Sequence, residues 1–570
     1  MNRAERRRRR KPGAGTASTR LRRPANGPGS EPDQAALREA MAQALEHHRG
    51  GRLAEARELF GKALAIDPMQ PVALHRLGVI ANLDGDNQAA LRLIARAIAI
   101  RPDYADAHNS LGLVLDEIGR TAEAIASYGK AIAIAPDRPS AHYNLAIALA
   151  RAGRIDDAIA AYERAIAIRP DYAEAHNNLA ELLEKSNRTE ELRRAVRRAR
   201  QDCPGHPHFA LRQAQLLRRD GEHAKARAIL QTEPPAGTDP RFMAARAFLL
   251  GELCDQLGDT GAAFRRFEEG NRLRGASPAA REVDPARALR RIDLLESRFT
   301  ARWIAGWKPA AADDGRPDPV FLVGFPRSGT TLLDTILLSH ECIAVVEEKP
   351  MVHALRTVLA NLPGGDPDAL ARLDAAALAR LRGAYFAELD LHLSPGERSR
   401  IIVDKLPLNI VEAGLIHRAF PEARFVFALR HPCDCVLSCF MRDFRLNDSM
   451  ANFLSLEDGA RFYDRVMGLW QHYREVLPLK VHTVGYESLV TAFEETLAPV
   501  LDFLGLGWDE AVRDHAQTAL SRGRISTPSY QQVTRPLYTE ASGRWQRYGD
   551  HLGPVLAILM PWAKRFGYDR

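Results

Sequence analysis

Small and turn-forming residues recur every 34 positions along the first half of the chain. Each period leaves room for two helices, with a glycine or asparagine at the bend between them and a proline after the second. The columns that keep this spacing are Gly51, Gly85, Gly119, Gly153, Asn187 and Gly221 at the bend, Ala56, Ala90, Ala124, Ala158, Leu192 and Ala226 after it, and Pro68, Pro102, Pro136, Pro170 and Pro204 at the end. The pattern predicts a series of helical hairpins.

A 34-residue period of this kind is typical of tetratricopeptide repeats, which stack into a curved superhelix. Small residues such as Gly78 and Gly112 let paired helices approach closely, while leucines such as Leu77 are buried between units. A looser unit around Gly258 continues the series. We therefore predict six to seven repeats over residues 34–275.

Two polar columns run through these repeats, Ser110, Asn144 and Asn178 in one and His108, His142 and His176 in the other. Asparagine amides beside a buried leucine can line an inner groove and hold an extended peptide. In this the region resembles the repeats of the O-linked N-acetylglucosamine transferases. The alternative is a solvated face in near-identical duplicated units. The histidines are a turn or more apart in space, which does not favour a metal site.

The second half of the chain is organised around residues 320–350, VFLVGFPRSGTTLLDTILLSHECIAVVEEKP. An apolar run is followed by a loop of small residues, Gly324 to Gly329, and then by apolar residues at helical spacing. A helix that begins directly after such a loop points its free N–H groups and its positive dipole end into the loop. We therefore expect a bound phosphate or sulfate there.

This loop differs from the P-loop of nucleoside triphosphate enzymes. Gly324, Gly329 and Thr331 fit the pattern G-x-x-x-x-G-K-[ST], but Thr330 stands where the lysine belongs, and the cation, Arg327, lies inside the loop. A planar guanidinium suits the oxygens of an anion with one phosphate and one sulfuryl group. A purely structural turn is the alternative.

Strands that alternate with helices predict an α/β domain with a parallel, doubly wound sheet over residues 316–570. The candidate strands are Val320–Val323, Ile401–Val403, Phe425–Leu429 and Val481–Val484. Ligands bind at the carboxyl ends of such strands. Residues 276–315 form a linker, in which an amphipathic helix is expected over Ala286–Trp307.

The run PRSGTT after an apolar strand, followed by a helix and VVEEKP, resembles the 5′-phosphosulfate loop of sulfotransferases that use 3′-phosphoadenosine 5′-phosphosulfate (PAPS), and especially the tyrosylprotein branch. The whole chain, with helical repeats before such a domain, is similar to bacterial tetratricopeptide-repeat sulfotransferases. The resemblance covers about residues 316–570. It implies PAPS as the sulfuryl donor, a hydroxyl acceptor that includes protein tyrosine among the candidates, and no metal.

The resemblance also implies a set of donor-binding residues. The loop contributes Arg327, Ser328, Gly329, Thr330 and Thr331, and the family's 3′-phosphate motif falls on Arg430 and Ser438, with Arg442 as a further contact. Tyr486 matches the tyrosine near the adenosine. Ser526, Thr527 and Arg535 match the segment that closes over the donor. An arginine at a strand tip and a serine eight positions later, on the next helix, can converge on one phosphate.

Glu348, Arg327 and Lys405 are the candidate catalytic groups, with Arg327 and Lys405 stabilising the charge on the moving group. A hydroxyl acceptor is a poor nucleophile while protonated, so a carboxylate base is needed, and the family spacing from Arg327 selects Glu348 over Glu347. Lys405 corresponds to a lysine that faces the transferring sulfuryl group. Lys349 replaces the threonine or serine of the family, which affects the acceptor pocket rather than the chemistry.

The remaining sequence features are the distribution of charge, the cysteine content and the long apolar runs. Residues 1–30 carry ten Lys or Arg against Glu5 alone, so the +7 of the whole chain comes from this tail. Its composition predicts a disordered segment, 1–33, that is either solvated or bound to nucleic acid or anionic lipid. Six cysteines make no disulfide framework, and the chain has no apolar signal core or run of about 18 apolar residues. We expect a cytoplasmic protein that recruits a protein or peptide acceptor through its repeats, with a homodimer as an open alternative.

Two other classes of function fit parts of the sequence. A nucleoside kinase or other P-loop phosphotransferase would use the same loop, and a tetratricopeptide scaffold would carry a second domain without catalytic activity. The retained motif residues speak against the scaffold, and the missing loop lysine speaks against the kinase.

Overall fold

The chain divides into two compact units between Pro204 and Gly205. The computed structural model describes residues 30–232, 234–235, 237–308, 314–521 and 541–568. The first unit is helical throughout its described part, and the second holds further helices and a parallel sheet. Most of the predicted basic tail, residues 1–29, lies outside the described residues.

The first unit consists of helical hairpins, one for each period of the sequence. The helices of its described residues are α1 (Glu31–Arg49), α2 (Leu53–Ile66), α3 (Pro71–Leu83), α4 (Asn87–Ile100), α5 (Ala105–Glu117), α6 (Thr121–Ile134), α7 (Pro139–Arg151), α8 (Ile155–Ile168), α9 (Ala173–Lys185) and α10 (Thr189–Asp202). The predicted tetratricopeptide architecture is confirmed.

Glycines at the helix crossings explain how closely the hairpins pack. A Cβ atom on Gly112 would lie 2.5 Å from the ring of Tyr128, and one on Gly78 would lie 2.6 Å from Ile94, so neither position accepts a larger residue without displacement. Asn187 takes the place of a bend glycine and adopts the same left-handed backbone, with φ at 56°. Asparagine tolerates this conformation better than most residues, as the sequence predicted.

The histidine column has a structural role. His108, His142 and His176 are buried, and the Nε2–H of each donates a 2.9 Å hydrogen bond to the carbonyl oxygen of the proline six positions earlier. Each bond joins the first helix of a hairpin to the loop that precedes it. The column therefore fixes the angle at which the chain enters each repeat.

The second unit begins with two more helical hairpins and two linking helices. They are α11 (Pro207–Arg219), α12 (His223–Gln231), α13 (Pro240–Gln256), α14 (Thr260–Gly275), α15 (Pro285–Arg298) and α16 (Ala301–Ala305). The single helix predicted over 286–307 is therefore wrong in detail. The chain breaks at Thr300, whose backbone is extended and whose hydroxyl accepts a 3.2 Å hydrogen bond from the N–H of Trp303, which starts a new helix.

Five parallel strands form the sheet, in the order β2-β3-β1-β4-β5. They are β1 (Val320–Gly324), β2 (Ile343–Glu347), β3 (Ile401–Lys405), β4 (Arg424–Leu429) and β5 (Lys480–Gly485). The four predicted strands are confirmed, and β2 was missed. The order reverses next to β1, so the loops after β1 and β4 lie side by side at the carboxyl edge, where such sheets bind ligands.

Helices cover both faces of this sheet, which confirms the doubly wound class. They are α17 (Thr330–Leu338), α18 (Met351–Ala360), α19 (Ala375–Asp390), α20 (Ala413–Ala419), α21 (Pro432–Phe440), α22 (Leu456–Val476), α23 (Tyr486–Thr491), α24 (Phe493–Leu504), α25 (His515–Ser521) and α26 (Gly549–Arg565). Successive β1 residues alternate between the two cores, with Phe321 and Val323 on the side of α22, and Val320 and Leu322 on the side of α17 and α24.

In the part of the chain that the structure describes, none of the helices combines the length and apolar character needed to cross a membrane.

Candidate functional site

Two glycines bring the loop after β1 against its neighbours. A Cβ atom on Gly324 would lie 2.6 Å from the carbonyl oxygen of Ala428, and one on Gly329 would lie 2.6 Å from Cδ2 of Tyr486. Gly329 also has φ at 94°, and Arg327 has φ at 70° although it carries a side chain. A left-handed arginine is uncommon and is typical of a loop whose shape serves a ligand.

The helix α17 begins directly after this loop. Gly329 occupies its cap position and has no side chain that could accept a hydrogen bond from the first N–H groups of the helix. Thr330 and Thr331 in the first turn are buried. The positive end of the helix dipole therefore faces the loop, an arrangement that suits an anion.

Arg430 and Ser438 meet the same loop from the neighbouring strand. Arg430 follows β4, and its Nη1 donates a 3.2 Å hydrogen bond to the carbonyl oxygen of Arg327. Ser438 lies on α21, and its hydroxyl accepts a 3.0 Å hydrogen bond from Nε of Arg327. The guanidinium of Arg430 also lies over the ring of Tyr486, 4.9 Å from its centre. The structure thus brings together four residues from three separate segments of the sequence.

Two buried polar atoms of this cluster lack partners. Among the residues that the structure describes, the Oγ of Ser328 and the Nε of Arg430 form no hydrogen bond, although both are buried. Buried polar groups are nearly always paired, and those that are not commonly await a ligand or ordered water. Both atoms can donate to an oxyanion, so they fit the phosphate and sulfate groups of the expected donor.

Asp434 holds the segment beside Arg430 in place, a role that the sequence did not reveal. Its two carboxylate oxygens accept 2.8 Å hydrogen bonds from the N–H groups of Gly543 and Trp545, and Arg430 lies 3.8 Å away. The ring of Trp545 stacks on His431 with the planes 11° apart. The sequence shows Asp434 four positions after Arg430. No sequence pattern links Asp434 to Gly543 and Trp545, which lie more than a hundred residues later.

A second cluster lies at the ends of β2 and β3. Nζ of Lys405 is 2.9 Å from Oε1 of Glu347, 3.2 Å from Oε1 of Glu348 and 3.1 Å from Oδ2 of Asp334. Lys405 is fully buried, whereas the side chain of Glu348 is 39% exposed. Glu348 also has a left-handed backbone, with φ at 50°, and its N–H donates to the carbonyl oxygen of Lys405.

These charges decide the ionisation of Lys405. Burial alone would lower the pKa of Lys405, but the charges of Asp334, Glu347 and Glu348 outweigh that effect and raise this pKa above its usual value. The ammonium is therefore charged throughout the physiological range. Of the three carboxylates, Glu348 alone is exposed enough to meet an acceptor directly.

The remaining predicted residues differ in their placement. Arg442, predicted as a further donor contact, lies beyond the end of α21 at Phe440, and its Nη1 lies 2.9 Å from Oε1 of Glu252 on α13. Ser526, Thr527 and Arg535 lie outside the described residues. Within the described ranges, no group of three or more His, Cys, Asp or Glu side chains is arranged to hold a metal ion.

The geometry defines a class: helical repeats before an α/β domain in which a helix begins in a loop suited to an anion. Comparison with known families gives the particular family. Residues 319–510 match the sequence model described as the sulfotransferase family. Residues 117–153 and 148–187 match one tetratricopeptide repeat model, and residues 190–240 match another. The chain thus carries tetratricopeptide repeats followed by a domain that matches the sulfotransferase family model, as the resemblance predicted.

Two relatives share about a quarter of their aligned residues with this chain. An uncharacterized protein of Aquifex aeolicus is 26% identical over 63% of this chain and 47% of its own length. The protein-tyrosine sulfotransferase of Drosophila melanogaster is 25% identical over 44% of this chain and 51% of its own length. The match thus covers only about half of each relative. The solved structure of PilF from Pseudomonas aeruginosa is 20% identical, covers 35% of this chain and 91% of its own, and superposes with a TM-score of 0.32.

Proposed function

We propose that this protein transfers a sulfuryl group from PAPS to a hydroxyl acceptor. The observation that carries this proposal is the convergence of Arg327, Arg430 and Ser438 around a helix N-terminus, with buried donors on Ser328 and Arg430 that have no partner among the described residues. Such a site needs a ligand with several anionic oxygens. The sulfotransferase family assignment of residues 319–510 agrees with this chemistry.

The donor-binding groups fall into two sets. The backbone of the loop with Ser328, Gly329, Thr330 and Thr331 would hold the 5′-phosphosulfate, because these residues form the helix N-terminus. Arg430 and Ser438 would hold the 3′-phosphate, and Tyr486, already in contact with Arg430, would border the adenosine. We propose Arg442, Ser526, Thr527 and Arg535 as further donor contacts on the family resemblance alone.

The chemical step is an in-line displacement at sulfur. A bond forms between the acceptor oxygen and the sulfur while the bond from the sulfur to the leaving phosphate breaks, and Glu348 accepts the proton of the acceptor hydroxyl. Arg327 and Lys405 stabilise the negative charge that develops on the sulfuryl oxygens and the leaving phosphate. Each such electrostatic group typically contributes about 10²- to 10³-fold in rate.

We further propose tyrosine in a protein as the acceptor. Several curated relatives are named protein-tyrosine sulfotransferases, and the repeats offer a surface for a partner chain. In the first unit, Nδ2 of Asn144 donates to Asn109 and Nδ2 of Asn178 donates to Tyr143, so each amide uses one donor between neighbouring repeats. The carbonyl oxygens of these amides are the groups that would meet a peptide.

Binding and transfer assays test the proposal. Isothermal titration calorimetry should detect binding of 3′,5′-adenosine bisphosphate, and incubation with 35S-labelled PAPS should label a peptide that contains tyrosine but not its phenylalanine counterpart. A thermal shift produced by adenosine triphosphate with magnesium, and none by the bisphosphate, would replace the proposal with a phosphotransferase. If neither ligand bound, the result would favour the tetratricopeptide scaffold without catalytic activity. Cytoplasmic location and a homodimer stay predictions of the sequence.

A further inference from the structure

One ammonium group faces three carboxylates at the carboxyl edge of the sheet. Lys405 ends β3, Glu347 and Glu348 end and follow β2, and Asp334 lies on α17, the helix that begins in the donor loop. The three distances from Nζ are all 3.2 Å or less. This small cluster therefore has a formal surplus of negative charge when all of its members are ionised.

The carboxylates differ in their access to solvent. Asp334 and Lys405 have no exposed side-chain surface, Glu347 is 12% exposed and Glu348 is 39% exposed. The Asp334 carboxylate also accepts a 3.1 Å hydrogen bond from the hydroxyl of Thr335. A charge pair without contact to water is screened weakly, so the attraction between Asp334 and Lys405 is stronger than the attraction between Glu348 and Lys405.

Proton transfer to Glu348 changes this balance. A carboxylate that takes up the acceptor's proton becomes neutral and no longer compensates the ammonium of Lys405. At that moment negative charge moves to the sulfuryl oxygens and the leaving phosphate, where Lys405 is required. The lysine must then stay charged and correctly placed through its other partners.

We propose that Asp334 is a positioning residue that keeps Lys405 charged and aligned with the donor loop while Glu348 accepts the proton. The role of Glu348 in this inference rests on the proposed function, whereas the pairing of Asp334 with Lys405 does not. In the proposed function the first turn of α17 binds the donor, and Asp334 in its second turn contacts Lys405. The helix therefore connects the donor loop with Lys405, and both act on the same sulfuryl group.

A stability cycle tests the pairing without any activity assay. The full-length wild type, Lys405→Met, Asp334→Asn and the double variant are compared by thermal unfolding. Lys405→Met should lower Tm by several degrees because it removes the ammonium that lies 3.1 Å from the buried Asp334 carboxylate, and adding Asp334→Asn should restore much of that loss. Additive changes in Tm would overturn the inference. Should Lys405→Met fail to fold, recovery of folded protein in the double variant is the corresponding readout.

Asp404→Asn is the matched control for this cycle. Asp404 precedes Lys405 on β3 and is equally buried, but its carboxylate accepts hydrogen bonds from Tyr385 at 2.9 Å and Asn409 at 3.3 Å. Its effect on Tm should add to that of Lys405→Met. If Asp404→Asn and Asp334→Asn restored the Tm of Lys405→Met equally, the effect would come from the loss of negative charge in general, and the specific pairing would be refuted.

Turnover supplies the second readout. Asp334→Asn should lower kcat by about 10- to 100-fold, as for other residues that hold a functional group in place, with less than about a threefold change in the Kd of 3′,5′-adenosine bisphosphate. The alkaline limb of its pH profile should begin at lower pH, because Lys405 loses one of the charges that keep it protonated. An unchanged kcat and pH profile would contradict the role. If the wild type transfers no sulfuryl group, the proposed function fails while the stability cycle still decides the pairing.

Discussion

At the scale of single residues, the site depends on a few side chains held in uncommon conformations. Arg327 and Glu348 both have positive φ, and both were selected from the sequence without any knowledge of their backbone conformation. A left-handed backbone at a residue with a side chain costs of order 1–3 kcal/mol and persists only when the surroundings enforce it. Two such residues in one site indicate that their orientation is important.

Replacing Glu348 tests its role as the base. Glu348→Gln should lower kcat by about 10²- to 10⁴-fold, because the amide keeps the shape of the side chain and cannot accept the proton. The Kd of 3′,5′-adenosine bisphosphate, measured by calorimetry, should stay unchanged. Glu347→Gln, one position earlier and mostly buried, is the control and should leave a larger part of kcat. Wild-type turnover in Glu348→Gln would remove Glu348 from this role.

Arg430 is the residue on which donor affinity should depend most. Arg430→Ala removes a charge-assisted contact worth about 1.5–3 kcal/mol, so the Kd of the bisphosphate should rise by about 10- to 150-fold. Arg424→Ala is the matched control, since Arg424 begins the same strand at its opposite end and donates to the carbonyl oxygen of Phe503. Equal losses in both variants would show a general effect of removed charge instead of donor binding.

At the scale of the elements, the sheet decides which loops meet. Arg327 and Arg430, in the loops after β1 and β4, are 103 residues apart in sequence, but the loops are adjacent because the two strands pair directly. Gly324 lies against Ala428 of β4, and Gly329 lies against Tyr486, which follows β5. The conformation of the loop therefore depends on the neighbouring strands as well as on the loop's own sequence.

Gly329→Ala tests this packing. The added methyl group would lie 2.6 Å from Tyr486, on a backbone that disfavours any side chain, so donor binding should be lost and Tm should fall. Gly468→Ala, in the middle of α22 with no atom within 4 Å of the added methyl group, should instead raise stability by about 0.5–1 kcal/mol. Normal binding of the bisphosphate by Gly329→Ala would mean that the loop is free to move.

The strand β3 also contains a pH-sensitive carboxyl group. Burial raises the pKa of Asp404 from 3.8 to about 7, so the folded state binds this proton more tightly than the unfolded state does. Its contribution to stability is present at low pH and is lost as the pH rises from about 4 to about 7. Asp404→Asn cannot titrate, so its Tm relative to the wild type should increase over this range. A difference in Tm that is independent of pH would contradict the raised pKa.

At the scale of the whole molecule, the last two helical hairpins share a compact unit with the sheet. Helix α13 contributes Asp255, whose buried carboxylate accepts 2.6 Å hydrogen bonds from Arg544 and from the hydroxyl of Tyr548. Helix α14 contributes Asn271, which donates to the carbonyl oxygen of Phe440. Helices α13 and α14 follow the repeat pattern in sequence, yet they pack against the α/β domain.

Truncation tests whether α13 and α14 belong with the repeats or with the α/β domain. A fragment of residues 205–570 should fold and bind 3′,5′-adenosine bisphosphate. A fragment of residues 276–570 should unfold at lower temperature or aggregate, because it exposes the surface that α14 covers through Phe264 and Phe267. Circular dichroism and calorimetry on both fragments provide the measurement. Equal stability of the two fragments would place the functional boundary after the last repeat.

Much of the fold was predictable because its signals are local. The 34-residue period, the bend residues and the apolar runs of four strands each depend on neighbours in the chain. The strand β2 was missed because its apolar run is short. Attention in this segment went to the two glutamates that follow the run. The break at Thr300 was missed because a single cap residue decides it.

The sequence by itself determined the repeat architecture and four of the five strands, since these follow from periodicity and apolar runs, and it supplied the candidate groups of the site through the resemblance to a family. Only the tertiary structure decided that Asp334 lies 3.1 Å from Lys405, that Asp434 holds the segment beside Arg430, and that α13 and α14 pack with the sheet. These contacts join residues 71 to 293 positions apart or depend on strand order. No local pattern encodes such contacts, because their energy comes from burial that exists only in the folded chain.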